Sequence, residues 1–99
     1  MEKIIIYAVS DSMGETSEQV AKAVIRQFDL AEFEIKRVPY VNDRETIDKL
    51  ILKASKENSF IVFTIVVEEL RNYIADMASE HNIGAVDVLT PVLLPLVKQ

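Results

Sequence analysis

The sequence predicts an α/β fold: a three-layer α/β/α, Rossmann-like domain whose four-stranded parallel sheet has the strand order 2-1-3-4. Short apolar segments alternate with amphipathic helical segments along the whole chain. Two of the apolar segments are nearly continuous, as in parallel strands that are covered on both faces. Helix-length connections between such strands imply right-handed crossovers with helices on both sides of the sheet. The 99 residues are enough for a single domain, 1–99.

The first strand is predicted at residues 3–9, where the apolar run is almost uninterrupted. Residues 16–28 follow as a helix, because their apolar side chains recur at a spacing that places them on one face. Residues 33–41 alternate apolar and polar side chains and predict a strand at the edge of the sheet. Pro39 fits an edge better than a central position, since proline cannot donate to a hydrogen-bond ladder.

A second helix is predicted from residue 43 to about residue 57, with its apolar positions facing inward. Its start has the spacing of a capping box, with Asn42 as the cap and Glu45 three residues later. The apolar segment at residues 60–66 predicts the third strand, which we expect beside the first at the centre of the sheet.

The third helix is predicted from residue 68 to about residue 82. Gly84 is expected to end this helix in a left-handed turn, and residues 85–89 to form the fourth strand. The alternation places the second strand at one edge of the sheet and the fourth strand at the other.

Composition and charge exclude several classes of function. The net charge is −5 and the pI about 4.8, which argues against nucleic acid or an anionic membrane as the main partner. With no cysteine there is neither a disulfide nor thiolate chemistry, and His81 as the single histidine makes a metal site improbable. No targeting or membrane-spanning segment is visible, so a cytoplasmic location is expected.

The polar turn after the first strand is the main candidate site. It joins a buried strand to a helix, so backbone N–H groups and the positive end of the helix dipole would point at one spot and favour an anion. It also lies beside the expected switch point of the sheet, where open α/β folds bind ligands. The phosphate- or ligand-binding candidates are Ser10, Asp11, Ser12, Gly14, Glu15 and Thr16.

A purely structural reading of the same turn is equally open. Ser12 with Glu15, and Thr16 with Gln19, have capping-box spacings and could simply satisfy the first N–H groups of the helix. Gly14 could serve only to supply a positive φ. The charge of Asp11 would repel a phosphate and would better suit a metal, a ribose hydroxyl or a proton transfer.

Other candidates belong to the same edge of the sheet, where parallel strands end. These secondary candidates are Arg37, Thr64, Glu68 and Arg71. The sequence contains no Walker-type glycine loop, no nucleophile elbow and no zinc-ligand spacing. The catalytic residues are therefore unknown, and catalysis by this chain alone is not expected.

The C-terminal segment is unusually apolar. Exposing so much apolar surface to water is costly, so the segment should pack on its own sheet or on a second copy of the chain. The alternative is that the natural protein continues beyond this point. The expected residues of a homo-oligomer contact are Val92, Leu93, Leu94, Leu96 and Val97.

Four separated motifs resemble one known family. The motifs are Ser10-Asp11-Ser12-Met13-Gly14-Glu15-Thr16, Arg37-Val38-Pro39-Tyr40-Val41, Thr64-Ile65-Val66-Val67-Glu68-Glu69-Leu70-Arg71 and Val86-Asp87-Val88-Leu89-Thr90-Pro91. The first of them is similar to the N-terminal signature of the regulatory proteins of pyruvate, phosphate dikinase and phosphoenolpyruvate synthase, and the likeness continues in order along the chain. The chain departs from the family pattern at Met13, where threonine or valine is more usual, and at Val67, where an acid is common.

This resemblance implies a bifunctional serine/threonine kinase and phosphorylase. Such proteins use ADP to phosphorylate a threonine of the target phosphoenolpyruvate-forming enzyme, and they reverse the modification with inorganic phosphate, releasing pyrophosphate. Their glycine-rich nucleotide loop lies in a later domain that nothing in this chain matches. The resemblance therefore implies an N-terminal domain, with ADP and phosphate as ligands of the parent and no cofactor in the present chain.

Two other classes of function remain open. The turn loosely resembles the flavin-phosphate loop of flavodoxins, although a second aromatic loop to sandwich the ring is not evident. The chain could also be a pure interaction module that recognises the dikinase or mediates self-association.

Overall fold

The computed structural model describes residues 3–27, 32–91 and 95. In this part of the chain four parallel strands have the order β2-β1-β3-β4, which confirms the predicted topology. The elements in chain order are β1 Lys3–Ser10, α1 Glu15–Ile25, β2 Glu32–Val38, α2 Arg44–Ala54, β3 Ser59–Thr64, α3 Glu68–Glu80 and β4 Gly84–Asp87.

Side-chain alternation along the central strands divides the core into two layers. Tyr7 and Phe63 point to one face of the sheet, where α2 and α3 cover them and form the larger core. Ile6 and Val62 point to the other face, where they pack with Ala21 of α1. The two central strands are thus buried on both faces, as their nearly continuous apolar sequence predicts.

The cap of α2 is one residue later than the sequence pattern predicts. Asp43, with extended backbone, accepts a hydrogen bond from the Thr46 N–H at 2.8 Å, so the predicted cap at Asn42 is wrong. Both residue types cap helices well, and spacing to Glu45 alone could not choose between them. The hydrogen bonds from Thr46 hold the pKa of the Asp43 carboxyl below its usual value.

We expect Asp43→Ala to lower the melting temperature by several degrees, whereas Asn42→Ala should change it little. Because the pKa of Asp43 is lowered in the folded state, its contribution to the free energy of unfolding is fully present above the unfolded pKa of about 4. That contribution is lost as the pH falls through the folded pKa. Thermal melts between pH 7 and pH 2 should show the two variants converging in acid, and a difference that persists there would contradict the cap.

The turn after α3 also differs from expectation. Asn82 supplies the left-handed conformation, with φ 57°, and Gly84 instead begins β4. A Cβ atom at position 84 would lie 2.7 Å from Cδ2 of the Phe60 ring on the neighbouring strand. Glycine is needed here for close approach of two strands and not for a positive φ.

β4 ends at Asp87, earlier than predicted, because this carboxylate turns the chain. It accepts hydrogen bonds from the backbone N–H groups of Leu89 and Thr90, each at 3.0 Å, and from the Thr90 hydroxyl. The backbone is helical at Thr90 and Pro91. The predicted oligomer contacts of the C-terminal segment lie outside the described residues; they are Val92, Leu93, Leu94, Leu96 and Val97.

Candidate functional site

A cleft of about 330 Å³ opens at the carboxyl edge of the two central strands. β1 and β3 end side by side there, with Ser10 paired to Thr64. Their connections then diverge, since β1 leads to one edge of the sheet and β3 to the other, and such a switch point is the usual ligand position in open α/β sheets. The cleft is lined by Ser10, Asp11, Ser12, Met13, Gly14, Glu15, Thr16, Thr64, Val66 and Leu89.

The first turn of α1 faces this cleft without a side-chain cap. Gly14 is the N-cap with φ +87°, and no side chain in the described part of the chain accepts from the first N–H groups of the helix. The capping boxes from Ser12 and from Thr16 are therefore not formed. Open N–H groups at the positive end of a helix dipole favour an anion.

The two serines shape the turn from within. Ser10, only 1% exposed, accepts a hydrogen bond from the Ser12 N–H at 3.0 Å, and the two hydroxyl oxygens lie 3.1 Å apart. The turn is tied to the loop after β2, where the Tyr40 N–H donates to the Ser12 carbonyl at 2.9 Å. Ser12 remains exposed and lines the cleft.

Asp11 joins the turn to the loop after β3. Its Oδ2 accepts hydrogen bonds from the N–H groups of Val66, at 2.7 Å, and Val67, at 3.4 Å. Val67 is the N-cap of α3 and offers no side-chain cap, so Asp11 places a carboxylate at the positive end of that helix. This contact gives the charge of Asp11 a structural partner.

The secondary candidates occupy different positions. Thr64 lines the cleft, whereas Glu68 lies exposed in the first turn of α3. Arg71 is turned to the backbone: its guanidinium donates to the Val66 carbonyl at 3.1 Å and lies 3.9 Å from the Asp87 carboxylate. It thereby connects the loop after β3 to the end of β4.

Arg37 lies behind Gly14, on the other side of the turn. A Cβ atom at position 14 would lie 3.0 Å from the Arg37 Cγ, so the arginine side chain covers the glycine. The guanidinium pairs with Glu18, which also pairs with Lys22 at 3.2 Å. The hydrogen bond from Arg37, followed by that from Lys22, holds the pKa of Glu18 below its usual value. Neither cation lines the cleft.

Sequence comparison identifies the family of this domain. A family model described as kinase/pyrophosphorylase matches residues 6–99. The chain belongs to the kinase/pyrophosphorylase family. It is similar to proteins named pyruvate, phosphate dikinase regulatory protein from Alkaliphilus metalliredigens, at 53% identity over 93% of the chain, and from Desulfitobacterium hafniense, at 40% identity over 99%. The chain spans about a third of the length of these relatives, 33% and 36% respectively.

Other groups of the chain lie away from the cleft. His81 follows α3 and its Nδ1 lies 2.9 Å from the Met77 carbonyl, at the opposite edge of the sheet. Within residues 3–27 and 32–91, no cluster of three acidic or histidine side chains could hold a metal ion. No helix in the described residues is long and apolar enough to cross a membrane.

The predicted site residues do not include the exposed apolar side chains near the cleft. Met13, Val66 and Val67 project from two loops that border it, and Tyr40 projects from the loop after β2. All four lie inside motifs that carry the family resemblance. Their exposure, however, depends on loop conformation, and no periodic pattern indicates it.

Proposed function

We propose that the chain is the N-terminal domain of a regulatory phosphotransferase that acts in the cytoplasm on pyruvate, phosphate dikinase or phosphoenolpyruvate synthase. The parent would transfer the β-phosphoryl group of ADP to a threonine of the target, leaving AMP and switching the target off. It would reverse this by phosphorolysis, in which inorganic phosphate takes up the phosphoryl group and leaves as pyrophosphate. The observation that carries the proposal is the family's signature turn, placed with an uncapped helix end at the cleft.

Within that function, the role of this domain would be to recognise an anion or the target protein. The described residues that line the cleft include no lysine, arginine or histidine that could neutralise a phosphate or transfer its proton. The main nucleotide-phosphate site would therefore belong to another part of the parent, where ADP and inorganic phosphate bind. The present cleft would assist as an anion-sensing or target-recognition surface.

An anion at this cleft would be held by the N–H groups at the start of α1 and by the exposed hydroxyls of Ser12 and Thr16. Asp11 and Glu15 oppose it by charge, although Asp11 is partly satisfied by the amides that it binds. Affinity for free phosphate should therefore be weak, roughly millimolar.

The flavodoxin-like alternative receives no support from this cleft. None of the residues that line it is aromatic, so no side chain there could stack on a flavin ring. A pure interaction module remains compatible with the site, and an assay of phosphoryl transfer separates it from the phosphotransferase.

A chimera tests the proposed function directly. The chain would replace the matching 92 residues of the Alkaliphilus metalliredigens relative, and the product would be incubated with purified dikinase and ADP labelled in its β-phosphate. We expect label on a dikinase threonine, then release of labelled pyrophosphate when inorganic phosphate is added. The control is the Alkaliphilus metalliredigens relative from which the same 92 residues have been removed. A folded chimera that binds dikinase but transfers no label would favour the interaction module.

A further inference from the structure

Four exposed apolar side chains lie on the three loops at the carboxyl edge of the sheet, and we call them the apolar rim. They are Met13, Tyr40, Val66 and Val67, and each is at least half exposed, from 51% for Val67 to 67% for Val66. In the described part of the chain only two other large apolar side chains are comparably exposed, Leu52 on α2 and Val86 on β4. Exposed apolar side chains are thus concentrated at the carboxyl edge of the sheet.

Hydrogen bonds hold the three loops of the apolar rim together. Asp11 binds the N–H groups of Val66 and Val67, and the Tyr40 N–H binds the Ser12 carbonyl. Tyr40 also adopts φ 57°, a conformation that is unfavourable for an aromatic residue and that directs its ring outward, 62% exposed. The three loops that carry the rim are therefore joined by hydrogen bonds, and exposed apolar surfaces mark contact sites.

Two acidic side chains beside the apolar rim are exposed and available to a cationic partner. Glu15 and Glu68 flank it at the first turns of α1 and α3, and neither forms an ion pair within the described residues. The arginines nearest this edge are already engaged with acidic groups of the domain. These pairs are Arg37 with Glu18, Arg44 with Glu69, and Arg71 with Asp87.

We propose that the apolar rim binds a polypeptide segment of a partner protein in which apolar side chains stand next to lysine or arginine. Apolar side chains of the segment would cover Met13, Val66 and Val67, while its cations would meet Glu15 and Glu68. The inference rests on the proposed function, because the segment would belong to the protein that the parent modifies. The cleft, which Met13 and Val66 border, would then receive the side chain that carries the phosphoryl group.

Charge argues against a second copy of this chain as the occupant. A two-fold contact between two apolar rims would bring Glu15 and Glu68 of one copy close to the same residues of the other. Like charges at such a contact are repulsive, and each chain already carries a net charge of −5.

The test uses the full 99-residue chain and peptides of about twelve residues. One peptide alternates lysine with leucine and valine, and its counterpart carries glutamate at every lysine position. We expect calorimetry to show binding of the lysine peptide only. Val66→Ser should weaken binding about tenfold and Glu68→Gln about threefold, because a covered valine contributes more than an exposed charge.

Matched controls separate the apolar rim from general attraction to an acidic protein. Leu52→Ser removes a comparably exposed side chain from α2, and Glu80→Gln removes a charge from the far end of α3. Both should leave the affinity unchanged within about twofold. Equal losses in the rim and control variants, or no loss in any variant, would overturn the proposal. If Val66→Ser does not fold by circular dichroism, Met13→Ser takes its place.

Analytical sedimentation of the chain without peptide tests whether a second copy of the chain occupies the rim. Self-association that Val66→Ser abolishes would overturn the proposal, because the rim would then be an interface between copies. The peptide experiment contains neither dikinase nor ADP, so it reports on the rim independently of phosphotransfer. An inactive chimera together with intact peptide discrimination would reject the proposed function and retain the binding surface.

Discussion

Replacing Phe63 with alanine should lower the free energy of unfolding by about 3–5 kcal/mol. The side chain is 1% exposed in β3 and lies in the larger core, on the face covered by α2 and α3. Its strand neighbours are Val9 of β1 and Asp87 of β4, so it lies between two strands of the sheet. Domains of this size are stable by about 5–15 kcal/mol, so the loss would leave a marginally folded protein.

Urea denaturation followed by circular dichroism measures this effect. Leu52→Ala is the matched control, since Leu52 is 59% exposed and its truncation should change the free energy by no more than about 0.5 kcal/mol. A Phe63→Ala variant as stable as the Leu52→Ala variant would mean that the core between β3 and the two helices is not packed as described.

The fold was predictable because its main determinants are local or periodic. The nearly continuous apolar runs of β1 and β3 require cover on both faces, and the helical spacing of the segments between strands supplies it. The errors lie at element ends, where single contacts decide. Glycine after a helix predicts a turn at Gly84, and no sequence pattern indicates that the Phe60 ring lies against it.

The site was predictable only in part, for a similar reason. The position of the turn after β1 follows from the strand–helix order, and its six candidate residues do line one cleft. The partners of Asp11, by contrast, are amides 55 and 56 residues further along the chain. Arg71 likewise turns to Asp87, and the outward direction of Tyr40 depends on an unfavourable backbone conformation. Contacts of this kind follow from tertiary structure, and no spacing rule indicates them.

Gly14→Val should reduce the binding of phosphate, pyrophosphate or sulfate to the turn at residues 10–16 and should also destabilise the domain. Gly14 has φ +87°, which costs an L-residue about 1–2 kcal/mol, and a β-branched residue tolerates it least. The new Cβ would also lie 3.0 Å from the Arg37 Cγ and push that side chain away. Relaxing this strain would rotate the first N–H groups of α1 away from the cleft.

Gly14→Asn separates the backbone requirement from the added volume, because asparagine tolerates positive φ while introducing a side chain at the same place. Titration of each folded variant with millimolar phosphate, followed by calorimetry or by backbone amide NMR shifts, measures the site. We expect Gly14→Asn to retain most of the affinity and Gly14→Val to lose it.

Equal losses would assign the effect to displacement of Arg37, and therefore to its ion pair with Glu18. If the folded chain without any substitution binds no phosphate at this concentration, the open helix end does not act as an anion site. The turn would then serve the neighbouring apolar rim by holding its loops in place.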